Sequence, residues 1–440
     1  MNATSTEHRG RGRIGLGDTR DVSSTAAAQV EAGACPAQAE ASTTQEERPA
    51  NSALNDSERA AGREAIVAHL ESQGFRVTDA GVLSTVESDK DVWRSLHGEA
   101  VVSQRERARK ALQRHDRAFT LRLANGDELV PRRIRPRLIH IEDFRSPNSA
   151  LWRWCSMHWS IPVSSGYGRR LRFLVVDEAH NDSVIGLIGL ADPVFSLGAR
   201  DREVGWTSEQ RAERLSHVME AFVLGAVAPY NELLGGKLIA SLLSAAEVQN
   251  AFDAKYAHRT TLIAQRDPDA RLAMITTNSA LGRSSIYNRV RRRDGSLVLR
   301  PVGFTNGSGD FHFSGAIYDL MVELARKNLG SAETQRHSRW GGPTIFRNRR
   351  EVIQRALEAV DLNPKAMRIH GVQRQIYLAP LATNTFSWLR GEDSELHLQT
   401  EPAAAIGEWW RERWAIPRSE SRSGWQSFDR ESWRLYPEQG

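Results

Sequence analysis

Large apolar side chains are almost absent from residues 1–56, which are rich in Ala, Ser, Thr, Gly, Glu and Gln. Such a segment buries too little surface to offset the entropy of ordering it, so a disordered tail is expected there. From Ser57 onward Ala61, Ala65, Ile66, Ala68, His69 and Leu70 recur at helical spacing until Gly74 interrupts them. A second, charged helix is predicted over about residues 88–113, with a weak apolar stripe among its Arg and Glu residues. LRLANGDELVP then alternates on either side of Asn125-Gly126, the pattern of a hairpin closed by a type I′ turn. Residues 57–136 thus read as a helical lead-in ending in a hairpin.

From Arg137 short apolar runs alternate with amphipathic ones. RLIHI reads as a strand and residues 150–159 as an aromatic-laden helix. LRFLVV (171–176) and VIGLIGL (184–190) read as strands joined by the polar turn DEAHNDS. Thr207 and Gln210 form a capping box that opens a helix. A strand near 219–227 feeds the Gly235-Gly236 turn, then one long helix with Leu238, Leu242, Ala245, Phe252 and Tyr256 on a buried face. RLAMIT (271–276) is a strand, SSIYNRVRR a short basic helix, and SLVLRPVGF (296–304) a strand after the Asp294-Gly295 turn. This order predicts an α/β protein with a mixed sheet flanked by helices, the core spanning 137–330. Beyond FHF (311–313), AIYDLMVELARKNLG is an amphipathic helix ending at Gly330, with Arg326 and Lys327 at the negative end of its dipole. Residues 331–440 read as a C-terminal α/β extension, with one more basic helix, a strand-like IYLAPL and a Trp- and Arg-rich tail.

Charge adds one feature to this picture. The net charge is +5, and Lys occurs only at 90, 110, 237, 255, 327 and 365, so the cations are overwhelmingly arginine. The guanidinium fork suits phosphates and carboxylates, which admits DNA or RNA as partners. Cys35 and Cys155 have no CxxC partner, which points to a reducing compartment and against structural zinc. The 13 histidines form no HxxxH or HExxH pair, so no dedicated metal site is expected, and His312 and His370 read as ordinary strand or loop residues. With no run of 18 uncharged apolar residues and no apolar leader, neither a membrane helix nor export is expected, and the cytoplasm is the expected location.

Three stretches carry candidate chemistry. A strand feeding Gly235-Gly236 and then a helix forms an anion cradle from free amides and the helix dipole, or else an ordinary packed turn. The long loop LADPVFSLGARDREVGW offers Asp201 or Glu203 as a general base, or as ion-pair partners of Arg200 and Arg202. In GRSSIYNRVRRR, Arg283, Ser284, Ser285, Asn288 and Arg289 suit contacts to a nucleic-acid backbone, or else form a solvated basic helix. The tail tryptophans stack on bases or pack back onto the body. A transposase-related nuclease would need three carboxylates at a two-metal centre, for which Asp177, Asp192 and Asp201 are candidates.

The runs WSIPVSSGYGRRLRFLVVD, GLIGLADPVF, AVAPYNELLGGKLIASL, ITTNSALGRSSIYNRV and HGVQRQIYLAPL, with Arg200-Asp201 and Gly205-Trp206, closely resemble the Druantia anti-phage protein A family over roughly 58–395. The resemblance implies a bacterial, cytoplasmic component of an antiviral defence system that acts with other system proteins, including a large helicase. The element order over about 137–304 resembles the Gcn5-related N-acetyltransferases more distantly. That resemblance implies a CoA pyrophosphate on Leu234, Gly235, Gly236 and Lys237, and Tyr287 as general acid toward the leaving thiolate. Glu232 and Lys237 depart from that family's loop, one repelling and one attracting phosphate. Two functions therefore compete: a nucleic-acid-interacting or adaptor subunit, and an acyl-CoA-dependent N-acyltransferase-like enzyme whose cofactor would be CoA or a nucleotide.

Overall fold

A computed structural model describes residues 54–437 except 79–81, 86–88, 165, 261–264, 266 and 329–347; the tail expected over 1–56 thus falls almost wholly outside the described residues. Helix α1 (Asp56–Ser72) opens on a capping box between Asn55 and Glu58 and stops before Gly74, whose φ is 97°. Strands β1 (Phe75–Val77) and β2 (Leu83–Thr85) pair antiparallel. The charged helix expected over 88–113 is instead two, α2 (Lys90–Leu96) and α3 (Gly98–Leu112), broken at His97 and Gly98; α4 (Asp116–Thr120) follows.

The hairpin expected around Asn125-Gly126 does not form. The Gly126 amide donates to the Phe428 carbonyl at 2.8 Å, and the Asn125 side chain accepts the Arg430 amide at 3.0 Å. The Leu129 amide reaches back to the Gly126 carbonyl at 3.3 Å, but the Gly126 amide is satisfied on the C-terminal tail, and a pattern local to ten residues carries no trace of such a partner.

The sheet has seven strands: β3 (Pro136–His140), β4 (Arg170–Asp177), β5 (Ser183–Ala191), β6 (Val218–Ala226), β7 (Met274–Asn278), β8 (Arg300–Phe304) and β9 (Gln375–Pro380). Their spatial order is β3-β4-β5-β6-β7-β9-β8, antiparallel throughout except for the parallel β6–β7 pair. The polar turn between β4 and β5 contains Asn181 and Asp182, both left-handed, at φ 54° and 53°. All nine residues of β5 are buried, as expected of a central strand covered on both faces. The expected mixed sheet flanked by helices is therefore present. β9 lies beyond residue 330 in sequence yet is inserted between β7 and β8, so elements from both sides of that point share one sheet.

Helices cover both faces. On one, α8 (Gly235–Ser241), α9 (Ala246–Tyr256) and α13 (Ala403–Trp410), with the 3₁₀ turn Leu242–Ser244 between the first two, pack Leu238, Leu242, Phe252 and Trp410 against Phe173, Ile188 and Tyr377. On the other, α5 (Pro147–Ser156) sets Trp152 and Trp154 against Leu174, Val184 and Val223. The helices α6 (Gly198–Val204) and α7 (Ser208–Arg214) lie between β5 and β6, α7 opening on the expected Thr207–Gln210 capping box. A separate core joins α1 to α10 (Ala316–Lys327) and α11 (Arg349–Ala359) through Ile66, Leu70, Met321, Leu324, Ile353 and Leu357. The chain closes with α12 (Thr385–Leu389) and α14 (Ile416–Ser421), and a strap over 424–437. The strap is anchored at Asp116, which is 1% exposed and accepts from Trp154 Nε1 (2.7 Å) and the amides of Leu435 (3.0 Å) and Tyr436 (3.1 Å).

Candidate functional site

The parallel β6–β7 pair runs only from Val218↔Met274 to Ala221↔Thr277; β7 ends at Asn278 while β6 continues to Ala226. A bulge on β6 leaves Phe222 without a partner on β5, because Gly189 pairs with Val223 and Leu190 with Ala221. The two strands part beyond residue 221, and most of the candidate residues gather around this notch.

Tyr287 fills one side of it. Its hydroxyl donates to the Leu224 carbonyl at 2.7 Å, past the last β6–β7 pair, and its ring meets Tyr377 edge-on at 5.4 Å. Burial, and then Tyr377, push the Tyr287 hydroxyl pKa up, so it stays a protonated donor. The basic helix expected over SSIYNRVRR is only a three-residue 3₁₀ turn, Tyr287–Arg289. One helix-type bond remains, from the Asn288 amide to the Ser284 carbonyl at 3.2 Å, and the neighbours are tied into a polar knot. Asn288 Nδ2 donates to the Ser284 carbonyl (2.9 Å), Gln375 Oε1 (3.0 Å) and Tyr377 Oη (3.1 Å), while the Ser284 amide donates to Tyr377 Oη at 3.1 Å. Ser284 and Asn288 thus face β9, and Arg283, Ser285 and Arg289 are exposed.

The glycine turn is closely packed. Leu234 is left-handed at φ 61°, and the Gly235 amide donates to the Tyr230 carbonyl at 2.8 Å. Trp410 Nε1 donates to the Leu234 carbonyl at 3.0 Å. A Cβ on Gly235 would lie 2.6 Å from the Tyr230 carbonyl oxygen, and one on Gly236 would lie 3.0 Å from Ile286. Gly235 is thus demanded by close approach of the backbone to itself, while Gly236 packs against the tip of the Ile286 side chain. The long helix expected here breaks at Ala245, whose extended ψ of 141° separates α8 from α9. Lys237 projects from this turn with Nζ 4.7 Å from the Trp414 ring. Burial, and then the charges of Arg413 and Arg289, lower its pKa.

The carboxylates of the 190–206 loop sit elsewhere. Asp201 Oδ1 accepts from Arg200 Nε (2.8 Å) and Trp206 Nε1 (3.1 Å), and Oδ2 from the Leu197 amide (2.9 Å) and Arg211 (3.3 Å). Glu203 pairs with Arg300 on β8 at 2.9 Å. Neither joins Tyr287, so the three catalytic candidates do not form one constellation. Asp177 is buried with Tyr230 and His180, and Asp192 pairs with Arg169 at 2.6 Å. Among the described residues no group of three His, Cys, Asp or Glu side chains is placed to hold a metal. His312 and His370 are buried with Phe311 in the α1–α10 core, burial holding both pKa values near about 3.

Sequence reasoning passed over Glu220. It stands on β6 at the last paired positions, with Oε1 3.4 Å from Asn278 Nδ2. Burial raises its pKa to about 6 against the opposing pull of Arg200. Tyr167 beside it is pushed up by burial, Glu220 and Asp192. The signal was present: VMEAFVLGA holds one glutamate inside an apolar strand run. Carboxyls perturbed in this way occur at functional sites and in buried ion-pair networks alike.

A second arrangement crosses the Trp-rich tail. The charges of Arg413 and Arg289 both act on Lys237, and none of the three is in an ion pair among the described residues. Trp414 backs Lys237 and packs edge-on against Trp409 at 6.1 Å, and Arg293 lies 5.5 Å over Trp409 while reaching Glu401 at 3.8 Å. Both tryptophans are partly exposed. Cations and aromatic faces therefore interleave on one surface. No helix among the described residues is long and apolar enough to cross a membrane.

Residues 87–391 match the family model described as Druantia protein DruA. A relative from Escherichia coli (strain UMEA 4076-1), named Druantia protein DruA, is 38% identical over 359 residues, covering 80% of this chain and 85% of its own. No solved structure matches the chain significantly. The matched span takes in α3, the whole seven-stranded sheet, the β6–β7 notch and the SSIYNRV knot, and this chain belongs to the Druantia protein DruA family.

Proposed function

We propose that this protein is a cytoplasmic anti-phage defence component that contacts DNA or RNA while acting with other Druantia-system proteins, a helicase among them. The observation that carries this reading is the patch of Lys237, Arg289 and Arg413 beside Trp414 and Trp409. Unpaired cations neutralise phosphates and release counterions, and indole faces accept unstacked bases, so a single strand is the favoured partner. Glu408 and Glu412 are neighbours of these residues in sequence, and Glu408 is paired with Arg411 at 3.9 Å.

The test is a salt-titrated anisotropy assay on single- and double-stranded DNA and RNA. Binding should weaken steeply with salt, and the triple reversal Lys237→Glu, Arg289→Glu, Arg413→Glu should flatten the log–log slope by about 2–3. Trp414→Ala should cost about 1–3 kcal/mol on single strands. Absence of binding at low salt, or an unaltered slope in the triple variant, defeats the reading.

The core also supports an acetyltransferase-like sheet as a finer fold assignment, through four antiparallel strands, one parallel step and strands that part beyond it. The chemistry of that family is less well supported. The Gly235 amide, the Leu234 carbonyl and the Tyr287 hydroxyl are all engaged within the chain. Calorimetry with acetyl-CoA separates the two readings: heat of binding that competes with Trp410 packing would favour the enzyme.

A further inference from the structure

A cleft of about 410 Å³ lies where α3 meets the segment leading into α10 and the start of α11. Its walls include Arg107 of α3, Pro162, Phe311, Ser314, Tyr318 of α10 and Arg349 of α11. Arg349 is the first residue of α11, and Ser314 stands two residues before the first of α10. Arg349 donates to the Phe313 carbonyl and, at 3.2 Å, to the Ser314 hydroxyl, so both helices start at this cleft. The α11 dipole adds partial positive charge there, whereas the start of α10 already faces Glu99, whose Oε1 would lie 2.5 Å from a Cβ on Gly315.

The cations are differently held. Arg349 is partly buried, with its guanidinium 4.0 Å from the Tyr318 ring centroid, which fixes its plane. Burial above all lowers its pKa, Tyr318 opposes that, Arg107 pushes the same way as burial, and Asp310 and Asp319 pull back, so the second guanidinium and two carboxylates outside the lining are all within electrostatic reach. Arg107 is exposed and donates to the Ser103 hydroxyl at 3.2 Å. No carboxylate lines the cleft among the described residues. Asp310 is engaged by Arg368, Glu351 by Arg355 at 3.1 Å, and Glu99 accepts from Gln73 at 2.7 Å. Phe311 is held from behind by His97, stacked at 3.8 Å with planes 13° apart.

Two guanidiniums with no carboxylate lining the cleft among the described residues, a hydroxyl and the start of α11 select an anion; a braced phenyl ring and a proline beside them select something flat. The volume falls within the range of small-molecule sites, about 300–1,000 Å³. We propose that this cleft binds a nucleoside phosphate, with Arg107 and Arg349 on the phosphate and Phe311 with Pro162 as the wall for the base. The site is separate from the Lys237 patch and does not rest on it.

Isothermal titration calorimetry of the full-length chain with ATP, adenosine and pyrophosphate tests this. ATP should bind, and adenosine at least tenfold more weakly. Arg107→Gln should weaken ATP at least tenfold with an unchanged unfolding midpoint, because this side chain is exposed. The Lys237/Arg289/Arg413 triple reversal should leave ATP binding intact, which separates failure here from failure at the nucleic-acid patch. No heat with ATP up to about 1 mM, or equal affinity in Arg107→Gln, would overturn the site. Pyrophosphate binding as tightly as ATP would overturn the role given to the aromatic wall.

Discussion

Asp201→Ala separates a structural carboxylate from a catalytic one. The side chain is 13% exposed and holds four donors across both oxygens: Arg200, Trp206, Leu197 and Arg211. Arg200 is fully buried, and its other hydrogen bonds go to the Val194 and Phe195 carbonyls, which are neutral. Removing Asp201 therefore takes away the hydrogen-bonded counter-charge of a buried guanidinium and leaves only Glu220, which acts on it through space, to oppose its charge. Breaking a buried pair from one side costs about 3–5 kcal/mol, more than any surface substitution in the same loop. Urea unfolding should show a lower midpoint with an unchanged slope. Native-state hydrogen exchange should show lost protection at the Leu197 amide, which donates directly to Asp201 Oδ2. If Asp201→Ala kept the wild-type midpoint to within about 0.5 kcal/mol while abolishing phage protection, Asp201 would be a chemical group after all and the loop-organising role would be refuted.

Two other perturbations follow from the same geometry. The Glu220 pKa is raised to about 6 from 4.5, so the native state prefers the protonated acid. Its contribution to stability is fully present below about pH 4.5 and lost as pH rises through about 6, a change on the order of 2 kcal/mol. Glu220→Gln should flatten the pH dependence of unfolding between those values and raise the midpoint at pH 7; an unaltered pH profile counts against it. Gly126→Ala would drive a methyl group into the Trp425 and Gln426 carbonyls, so limited trypsin digestion should cut the strap near Arg422 or Arg430 far faster than in wild type. Cleavage at the wild-type rate would mean that the tail is not seated there.

Much of the architecture was legible because its signals are local. Apolar runs marked β4, β5 and β6, the polar turn DEAHNDS ended up with two left-handed residues, and the Thr207–Gln210 box capped α7 as its spacing required. What escaped is non-local. The apparent hairpin at Asn125-Gly126 gave its amide to Phe428, about 300 residues downstream. The apparent basic helix SSIYNRVRR was unwound because Ser284 and Asn288 found better partners on Tyr377 and Gln375. The candidate residues were partly visible for the same reason. Residue type pointed to Asp201, Tyr287 and Gly235, but only packing reveals that each is already engaged. Glu220 and the Arg107–Arg349 pair emerge only when distant segments meet.

The insertion of β9 between β7 and β8 has a consequence for synthesis. Residues 278 and 375 are 97 positions apart, so at about 5–20 residues per second the ribosome needs roughly 5–20 s to supply the strand that joins them. Throughout that interval β7 offers one unpaired edge to the cell, and β8 has no neighbour in the sheet. A stop or frameshift between these positions would leave the nascent chain with a permanently open, apolar-flanked edge, a substrate for chaperones and proteases rather than a smaller working protein. Synthesis therefore yields the complete seven-stranded sheet only once the chain has passed Pro380.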